Sequence, residues 1–325
     1  MRRREFIILL GSAAAARPLA VRAQAKVYAV GILETVPRAQ NLANFAALLN
    51  GLRELGYVEG QNLRIDYRSA DGQGERFPEL AAELVQNRVD LIVTRGTPAA
   101  RAAKAATATI PIVMAAIGEP LGVGVVASLA RPGGNVTGLS AFVTELSGKR
   151  IELLKEAFPS VSAVGHLNNL GNPVAPPQWE ATRAVASQLG LTAELFDVRN
   201  EADIVQAFSK MAEKRLGALS IGIDFLIQAY AARIVELAAQ HRIPTAYPTR
   251  EMVESGGLLS YGVNYSHLYF RAAGLIDKVF KGTSPADLPV EQPTKLELVV
   301  NLRTAKALNF ELPPSLLARA DDLIE

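Results

Sequence analysis

One short stretch of the sequence, VTRGTPAARAAKAA at residues 93–106, combines the end of a buried strand, a polar turn and an alanine-rich helix. Thr97 is a favourable N-cap residue, and Pro98 suits the first turn because its missing N–H would be unpaired anyway. The N-terminus of a helix offers unpaired N–H groups and a partial positive charge. The stretch therefore predicts that the N–H groups of Gly96, Thr97 and the start of the helix bind an anionic group such as a ligand carboxylate, and Arg95 beside them is a further candidate ligand-binding residue.

Polar residues also follow most of the other predicted strands. They are Glu34, Thr35, Glu119, Asn168, Asn172, Asp224, Tyr247 and Tyr261. Ligands of parallel α/β sheets bind at the carboxyl ends of the strands. A carboxylate in that position can pair with a ligand amine, because a buried ammonium group needs an anionic neighbour. The candidates for this role are Glu34, Glu119 and Asp224.

Several of these residues also have an ordinary structural role open to them. Asn168 and Asn172 are typical turn residues, and Asp224 can cap the helix that follows it. Glu119 precedes a proline and can be a solvated loop acid. The sequence alone leaves both interpretations open. His166 lies in an apolar strand, which favours a buried structural role over ligand binding.

Composition and motifs exclude several classes of function. The chain has 325 residues, no cysteine and a net charge of +2, so disulfides, thiolate metal sites and a cysteine nucleophile are excluded. The sequence contains neither a Gly-rich phosphate loop ending in Lys-Ser/Thr nor a Gly-x-Ser-x-Gly nucleophile elbow. We therefore expect no catalytic residue, no metal site and no cofactor. The nearly neutral charge predicts no nucleic-acid partner.

Residues 1–23 are predicted to be a cleaved signal peptide. A basic segment, MRRREF, precedes the apolar core IILLGSAAAA, and the small residues of VRA suit a cleavage site before Gln24. The apolar core is too short for a membrane span, which needs about 20 residues. The run RREFI is similar to the twin-arginine export motif, so the export route stays open. We expect the mature protein in a periplasm, without a lipid anchor because no cysteine follows the core.

After the predicted cleavage site, strand-like and helix-like segments alternate with short connections in two arrays of similar size. This alternation predicts parallel sheets covered by helices on both faces. We predict one helix over residues 122–135, one helix over residues 227–242, and a strand over residues 136–142 that leaves the first array. The predicted fold class is α/β, with two similar lobes that meet at a polar cleft.

Five segments are characteristic of a known family. They are REFIILLG, TPAARAAKAAT followed by IPIVMA, GGNVTGLS, GGLLSYGVNY and, most specific, the C-terminal PADLPVEQPTKLELVVNLRTAKALNFELPPSLLARADDLIE. The chain resembles the ABC-transporter substrate-binding proteins with the type I periplasmic-binding fold, the group that includes tryptophan-type binding proteins. The resemblance covers nearly the whole sequence. It implies an Asp-Pro pair where this chain has Glu119-Pro120, and a small or uncharged residue where it has Arg95, so the ligand can differ.

The resemblance also implies how the lobes are connected. Residues 24–137 and 265–294 are expected to form the first lobe, and residues 138–264 and 295–325 the second. The chain then crosses between the lobes three times, and such a hinge allows closure around a ligand. The implied partner is an ABC permease in the inner membrane, on which the closed protein docks.

The expected function is therefore that of a periplasmic solute-binding protein of an ABC importer, which captures a small amino acid or organic acid. Two alternatives stay open. A ligand sensor that presents to a membrane receptor cannot be separated from a transport protein by sequence alone. An exported two-lobed enzyme would need a pair of residues whose loss stops turnover and spares binding, and the sequence offers no such pair.

Overall fold

The computed structural model describes residues 26–141, 143–293 and 295–325. The predicted signal peptide, residues 1–23, lies outside the described residues. The strands are β1 (Tyr28–Glu34), β2 (Leu63–Ser69), β3 (Leu91–Arg95), β4 (Ile112–Ile117), β5 (Val136–Ser140), β6 (Ala163–Asn168), β7 (Thr192–Asp197), β8 (Ala218–Ile221), β9 (Thr245–Tyr247), β10 (Leu259–Val263), β11 (Leu296–Asn301) and β12 (Asp322–Ile324).

The helices alternate with these strands along the chain. They are α1 (Leu42–Glu54), α2 (Phe77–Gln86), α3 (Thr97–Ala106), α4 (Val143–Ala157), α5 (Ala175–Gln188), α6 (Glu201–Glu213), α7 (Phe225–Ala229), α8 (Ala231–Gln240), α9 (Arg250–Glu254), α10 (Tyr265–Phe280), α11 (Leu302–Leu308) and α12 (Pro314–Leu317). Within the described ranges, no helix is both long enough and apolar enough to cross a membrane.

The first five strands form one parallel sheet in the order β2-β1-β3-β4-β5. Its central strands β1, β3 and β4 are apolar and buried along almost their whole length. Such continuous burial is expected when helices cover both faces of a parallel sheet. Here α1 and α10 pack on one face, and α2 and α3 pack on the other. This sheet and its helices are the first lobe.

The remaining strands form a second sheet in the order β12-β11-β10-β9-β8-β6-β7. Its pairs are parallel except for β10 and β11, which are antiparallel. Helices α4 and α5 pack on one face and α6 and α8 on the other. This sheet and its helices are the second lobe. The prediction of an α/β protein with two helix-flanked parallel sheets is therefore confirmed, with the two strands at one edge, β11 and β12, running antiparallel to the other five.

The chain passes between the lobes after β5, between β10 and α10, and again before β11. Helix α10 packs on α1, β4 and β5, so it belongs to the first lobe. The strand that was predicted to leave the first array is instead the edge strand β5 of the first sheet, because its main chain pairs with β4. The predicted lobe boundary between residues 137 and 138 consequently falls inside a strand.

Two helices differ from their predictions. Residues 122–135 form a turn followed by bends and irregular backbone, because Gly124 and Gly133 adopt φ angles of 69° and 71°, a left-handed conformation that glycine favours and a helix cannot contain. The single helix predicted over residues 227–242 is divided into α7 and α8 at Tyr230, where φ of −102° and ψ of 20° interrupt it.

Candidate functional site

A small cavity lies between the two lobes, where β1, β3 and β4 of the first lobe and β6 and β8 of the second end. Its volume is about 30 Å³. The residues that line it are Thr35, Arg95, Gly96, Thr97, Pro98, Ala116, Ile117, Gly118, Ala141, Val143, Asn172, Val174, Ile223, Asp224, Phe225, Gln228 and Tyr265. The cavity is thus built from the strand ends at which the sequence predicted a ligand.

Two wider grooves adjoin this cavity, and each shares a different pair of lining residues with it. The Phe225 groove, of about 520 Å³, shares Pro98 and Phe225 with the cavity. Its other lining residues include Gly74, Phe77, Pro78, Arg101, Asn169 and Arg199. The Gln228 groove, of about 390 Å³, shares Arg95 and Gln228 with the cavity. Its other lining residues include Asn44, Ala232, Thr249, Glu251 and Met252.

The wall from the first lobe is the N-terminus of α3. Gly96 is the N-cap residue, adopts φ of 81°, and donates its N–H to the carbonyl of Ala116 at 2.8 Å. The predicted capping by Thr97 is wrong, because the chain already turns at Gly96 and Thr97 is the first residue of the helix. Oγ1 of Thr97 is buried without a hydrogen-bond partner among the described residues. Since Pro98 has no N–H, the first turn offers the N–H groups of Thr97 and Ala99.

Arg95 ends β3 beside this turn, and its side chain is buried. Its Nη1 donates to Oδ1 of Asn41 at 3.1 Å, while Nε has no partner in the described part of the chain. The guanidinium carbon lies 4.7 Å from the centre of the Tyr265 ring, in a cation–π contact. Burial by itself lowers the pKa of Arg95, but Tyr269 and Glu34 outweigh burial and hold that pKa above its usual range. Arg95 therefore keeps a positive charge beside the cavity.

The opposite wall, from the second lobe, carries the carboxylate of Asp224. Oδ1 of Asp224 caps α7 by accepting the N–H groups of Leu226 at 2.7 Å and Ile227 at 3.3 Å. Asn169 donates to Oδ1 at 3.3 Å and Asn172 to Oδ2 at 2.9 Å. Burial raises the pKa of Asp224 to about 6, and these four hydrogen bonds offset burial only in part. Asp224 is thus both a cap and an acid that lines the cavity.

The two lobes also touch each other directly, at the cavity and in the Gln228 groove. Oγ1 of Thr35, in the first lobe, donates to Oε1 of Gln228, in the second, at 2.9 Å. Nδ2 of Asn44 donates to Oε1 of Glu251 across the same interface at 3.2 Å. These contacts require the lobes to be close together, so the structure has a closed cleft.

Six of the eleven residues predicted from the sequence line the cavity. They are Thr35, Arg95, Gly96, Thr97, Asn172 and Asp224. Glu34 is buried beneath them, and its carboxylate accepts hydrogen bonds from Asn41, the hydroxyl of Tyr269 and the N–H of Thr35. Burial raises the pKa of Glu34, an effect that Arg95 and these hydrogen bonds offset in part.

The other four predicted residues are not among the cavity-lining residues. Glu119 accepts a hydrogen bond from Thr144 in the segment where the chain enters the second lobe. Asn168 is fully buried, and its Oδ1 accepts the N–H of the residue that follows it, which is turn chemistry. Tyr247 is buried in the core of the second lobe. Tyr261 lies on β10 and packs against the cores of both lobes.

Among the lining residues that sequence reasoning did not single out are Phe225, Gln228 and Tyr265. A partial signal for two of them was present in the sequence. If Asp224 caps a helix, Gln228 lies four residues later on the same face and Phe225 begins the helix. Tyr265 follows Asn264, which caps α10 by accepting the N–H of His267 at 2.8 Å. The contact of the Tyr265 ring with Arg95 joins distant segments of the chain, so no local sequence signal predicts it.

No cluster of three or more His, Asp or Glu residues suited to a metal ion occurs in residues 26–141, 143–293 and 295–325. His166 is buried between Asn168 and Thr182, at 3.3 and 3.5 Å, and its ring stacks on Trp179. Burial lowers the pKa of His166 to about 3, with a smaller contribution from Arg150. The neutral ring is a packing element of the second lobe, as its apolar strand predicted.

A known family matches nearly the whole described chain. The profile for "ABC transporter substrate binding protein" matches residues 29–324. A tyrosine-binding protein from Clostridioides difficile strain R20291 is 30% identical over 263 residues, which are 81% of this chain and 75% of that protein.

Two solved structures differ in how well they superpose on this chain. An ABC domain from Streptococcus pneumoniae, solved in complex with L-Trp, is 31% identical, with a TM-score of 0.85 over 92% of this chain and 100% of its own. The ligand-free, open structure of a substrate-binding protein with adhesive properties from Clostridium difficile is 27% identical. Its TM-score is 0.66, over 92% of this chain and 99% of its own. At similar identity and coverage, the overall arrangement of this chain is more similar to the L-Trp complex.

Proposed function

Because the chain belongs to the family of ABC transporter substrate-binding proteins with the type I periplasmic-binding fold, we propose that it binds an aromatic amino acid between its lobes and delivers it to an ABC importer. One observation carries the proposal. A helix N-terminus with buried Arg95 lies on one wall of the interlobe cavity, and the buried acid Asp224 lies on the other. An α-amino acid carries the complementary pair of charges.

The ligand carboxylate is assigned to the wall of the first lobe. The N–H groups of Thr97 and Ala99 and the partial charge of α3 suit an anion. Two buried side-chain donors without partners among the described residues, Nε of Arg95 and Oγ1 of Thr97, belong to residues that line the same space. A buried polar atom without a partner is costly. A carboxylate that accepts hydrogen bonds from these two atoms therefore gains more binding free energy than a carboxylate that accepts hydrogen bonds from exposed groups.

The ligand amine is assigned to Asp224. Of the three acids that the sequence offered, Asp224 lines the cavity, whereas Glu34 and Glu119 are not among its lining residues. Asn169 and Asn172 orient the Asp224 carboxylate, which is acceptor-only when ionised and therefore suits an ammonium group. Pairing with a buried ammonium group also removes part of the cost of burying the aspartate charge.

The aromatic side chain is the more specific part of the proposal. The relatives named above include a tyrosine-binding protein and a protein solved with L-Trp. The cavity walls between the two polar ends are apolar, with Val143, Val174 and Phe225 among them. Ligand sites usually measure roughly 300–1,000 Å³. A cavity of about 30 Å³ must therefore widen into a neighbouring groove when a ligand of this size is bound.

Hinge closure is the proposed binding motion. Ligand enters while the lobes are apart, and it then adds contacts to both walls that exist only in the closed form. The direct bonds between Thr35 and Gln228 and between Asn44 and Glu251 stabilise the same closed form. The three chain crossings between the lobes are the hinge, and the closed surface docks on a permease of the importer. The residue division proposed for the lobes is 26–140 with 265–291, and 143–263 with 296–324.

The cellular location proposed is the periplasm, after removal of a signal peptide over residues 1–23. The support for this is the basic and apolar pattern of those residues and the family to which the chain belongs. Intact-mass measurement of the exported protein tests it. A mature chain that begins near Gln24 supports export, and a full-length chain in the periplasmic fraction contradicts cleavage.

Isothermal titration calorimetry of the protein without residues 1–23 tests the ligand. L-Tyrosine, L-tryptophan and L-phenylalanine are the ligands, and we expect dissociation constants near 1 μM, which correspond to about −8 kcal/mol. N-Acetyl-L-tyrosine and L-tyrosinamide are matched controls, because each removes one of the two charges. Both should bind at least about a hundredfold more weakly, since each leaves one buried charge unpaired.

Two results would contradict the proposal. If none of the three aromatic amino acids binds and a neutral sugar or nucleoside does, the ligand class is wrong. If N-acetyl-L-tyrosine binds as tightly as L-tyrosine, Asp224 does not hold an ammonium group and the assigned orientation is wrong.

A further inference from the structure

The wall between the cavity and the Phe225 groove is made of apolar rings. Phe225 and Pro98 are the two residues that line both spaces. Phe225 belongs to α7 of the second lobe, directly after Asp224, while Pro98 lies in the first turn of α3. The groove beyond them measures about 520 Å³, against about 30 Å³ for the cavity. Movement of one ring would therefore join the small space to the large one.

The Phe225 ring crosses from its own lobe to the other. It packs against the cores of both lobes, and it meets the ring of Phe77 edge to face with the centroids 6.1 Å apart. A Cβ atom built on Gly74 would lie 2.6 Å from Cζ of Phe225. Gly74 does not have a positive φ, so its lack of a side chain, rather than its backbone conformation, makes room for this ring.

The wall between the cavity and the Gln228 groove is harder to open. It consists of Arg95 and Gln228, which line both the cavity and the Gln228 groove. Moving Gln228 breaks its hydrogen bond with Thr35, and moving Arg95 breaks its bond with Asn41 and its contact with the Tyr265 ring. The Phe225 ring has no polar atom, so its rotation breaks no hydrogen bond.

We propose that Phe225 is the specificity-determining residue of the cleft: its ring is the movable wall that sets how large a ligand side chain the closed protein accepts. This inference rests on the proposed function, in which Asp224 and the N-terminus of α3 hold the two charged ends of an amino acid. A ligand side chain that outgrows the cavity displaces the Phe225 ring and extends into the Phe225 groove. The packing of the ring against Gly74 and Phe77 opposes that displacement.

A ligand series with one growing substituent tests this role. L-Tyrosine, O-methyl-L-tyrosine and O-benzyl-L-tyrosine keep both charged ends and lengthen the side chain. In the wild-type protein, we expect the affinity to fall from the first ligand to the last. In Phe225→Ala, O-benzyl-L-tyrosine should gain at least about tenfold relative to L-tyrosine, the order expected when a pocket gains room for a few carbon atoms. Phe225→Leu, which keeps the core packing better, should show a smaller gain in the same direction.

Gln228→Ala is the matched control, because it shortens a side chain of the wall towards the Gln228 groove and leaves Phe225 in place. We expect it to weaken all three ligands by similar factors. A selectivity gain in Gln228→Ala and none in the Phe225 variants would overturn the proposal and assign the role to the other wall. If the wild-type protein binds aromatic amino acids and neither Phe225 variant changes the ligand ratios, Phe225 has no role in specificity. If the wild-type protein binds no aromatic amino acid, the proposed function fails and this inference fails with it.

Gly74→Ala provides a second, independent test. The new methyl group meets the Phe225 ring, so we expect L-tyrosine to bind at least about tenfold more weakly, by pushing the ring into the cavity or holding the lobes apart. In the Phe225→Ala background the ring atoms that the methyl group would meet are gone, so Gly74→Ala should then have no effect on binding. Equal losses of affinity in both backgrounds would show that Gly74 and Phe225 act separately, which contradicts the proposed packing of the Phe225 ring on Gly74.

Discussion

Two buried acids, Glu34 and Asp224, occupy comparable places in the two lobes and have different surroundings. Each lies near the carboxyl end of a strand, and each side chain is about 1% exposed. Burial raises the pKa of both carboxyl groups. Glu34 is surrounded by donors of its own lobe, namely Asn41, Tyr269 and the N–H of Thr35. Asp224 is held by its own lobe as well, but it also lines the space that the other lobe closes.

Burial and a raised pKa therefore do not by themselves identify a ligand-binding acid. Both groups would pass that test, because perturbed pKa values also occur in structural networks. The two carboxylates differ in what they face: Asp224 lines the interlobe cavity, and Glu34 does not. Glu34 stabilises the positive charge of Arg95 from below, whereas Asp224 lies across the cavity from the N-terminus of α3. The expected effects of changing these residues differ accordingly.

The largest effect is expected for Asp224→Asn. Asparagine is also a good N-cap residue, so α7 should be retained, while the negative charge that faces a ligand amine is lost. We expect L-tyrosine to bind at least about a hundredfold more weakly, a loss of roughly 3 kcal/mol. Calorimetry measures the affinity, and circular dichroism checks the fold. An unchanged affinity would show that the two acids do not differ in the way proposed.

A smaller effect is expected from pH. Burial in the closed cleft raises the pKa of Asp224 to about 6, and only its ionised form attracts an ammonium group. The affinity for L-tyrosine should therefore fall about tenfold between pH 7 and pH 5, because one pH unit below the pKa leaves about a tenth of the groups ionised. Asp224→Asn should not show this dependence. A wild-type affinity that is constant over this range would remove Asp224 from the ligand contacts.

The same group has a linked effect on stability. Its pKa in the folded protein lies above the ordinary value of 3.8, so its favourable contribution is fully present below about 3.8 and is lost as the pH rises through about 6. A bound ligand ammonium group favours the ionised form of Asp224 instead of the protonated form. The increase in Tm on adding L-tyrosine should therefore be larger at pH 7 than at pH 5.

Thr97→Val tests the first-lobe wall with a change of one polar atom. Valine keeps the shape of threonine and removes the hydroxyl, which has no partner among the described residues. We expect L-tyrosine to bind about threefold to tenfold more weakly, because a typical hydrogen bond contributes about 0.5–1.5 kcal/mol. Thr97→Ser should bind like the wild type. Equal affinities for the valine variant and the wild type would show that the hydroxyl does not contact the ligand.

The smallest effect on affinity is expected for Glu34→Gln. Glutamine keeps the size of the side chain but leaves one of the donors around Glu34 without an acceptor and removes the charge that faces Arg95. We expect the free energy of unfolding to fall by about 1–3 kcal/mol, with the affinity for L-tyrosine changed less than about threefold. Denaturant unfolding and calorimetry separate the two effects. A large loss of affinity without a loss of stability would make Glu34, rather than Asp224, the acid that faces the ligand.

The sequence predicted most of the fold because its signals are local. Alternating strands and helices, the start of α3 and the capping role open to Asp224 depend on residue spacing and on neighbours a few positions apart. Two of the wrong predictions depended on glycine conformation. Thr97 is not a cap because Gly96 turns the chain first, and residues 122–135 are not a helix because Gly124 and Gly133 adopt positive φ.

The two-lobed α/β architecture, the family and the set of polar strand ends could all be predicted from the sequence. Which of those strand ends face the cavity depends on the tertiary structure. The contacts that determine this, between Thr35 and Gln228 and between Gly74 and Phe225, join residues that are at least 150 positions apart. Such contacts depend on how two separately folded sheets are brought together, and no local pattern of residues records that arrangement.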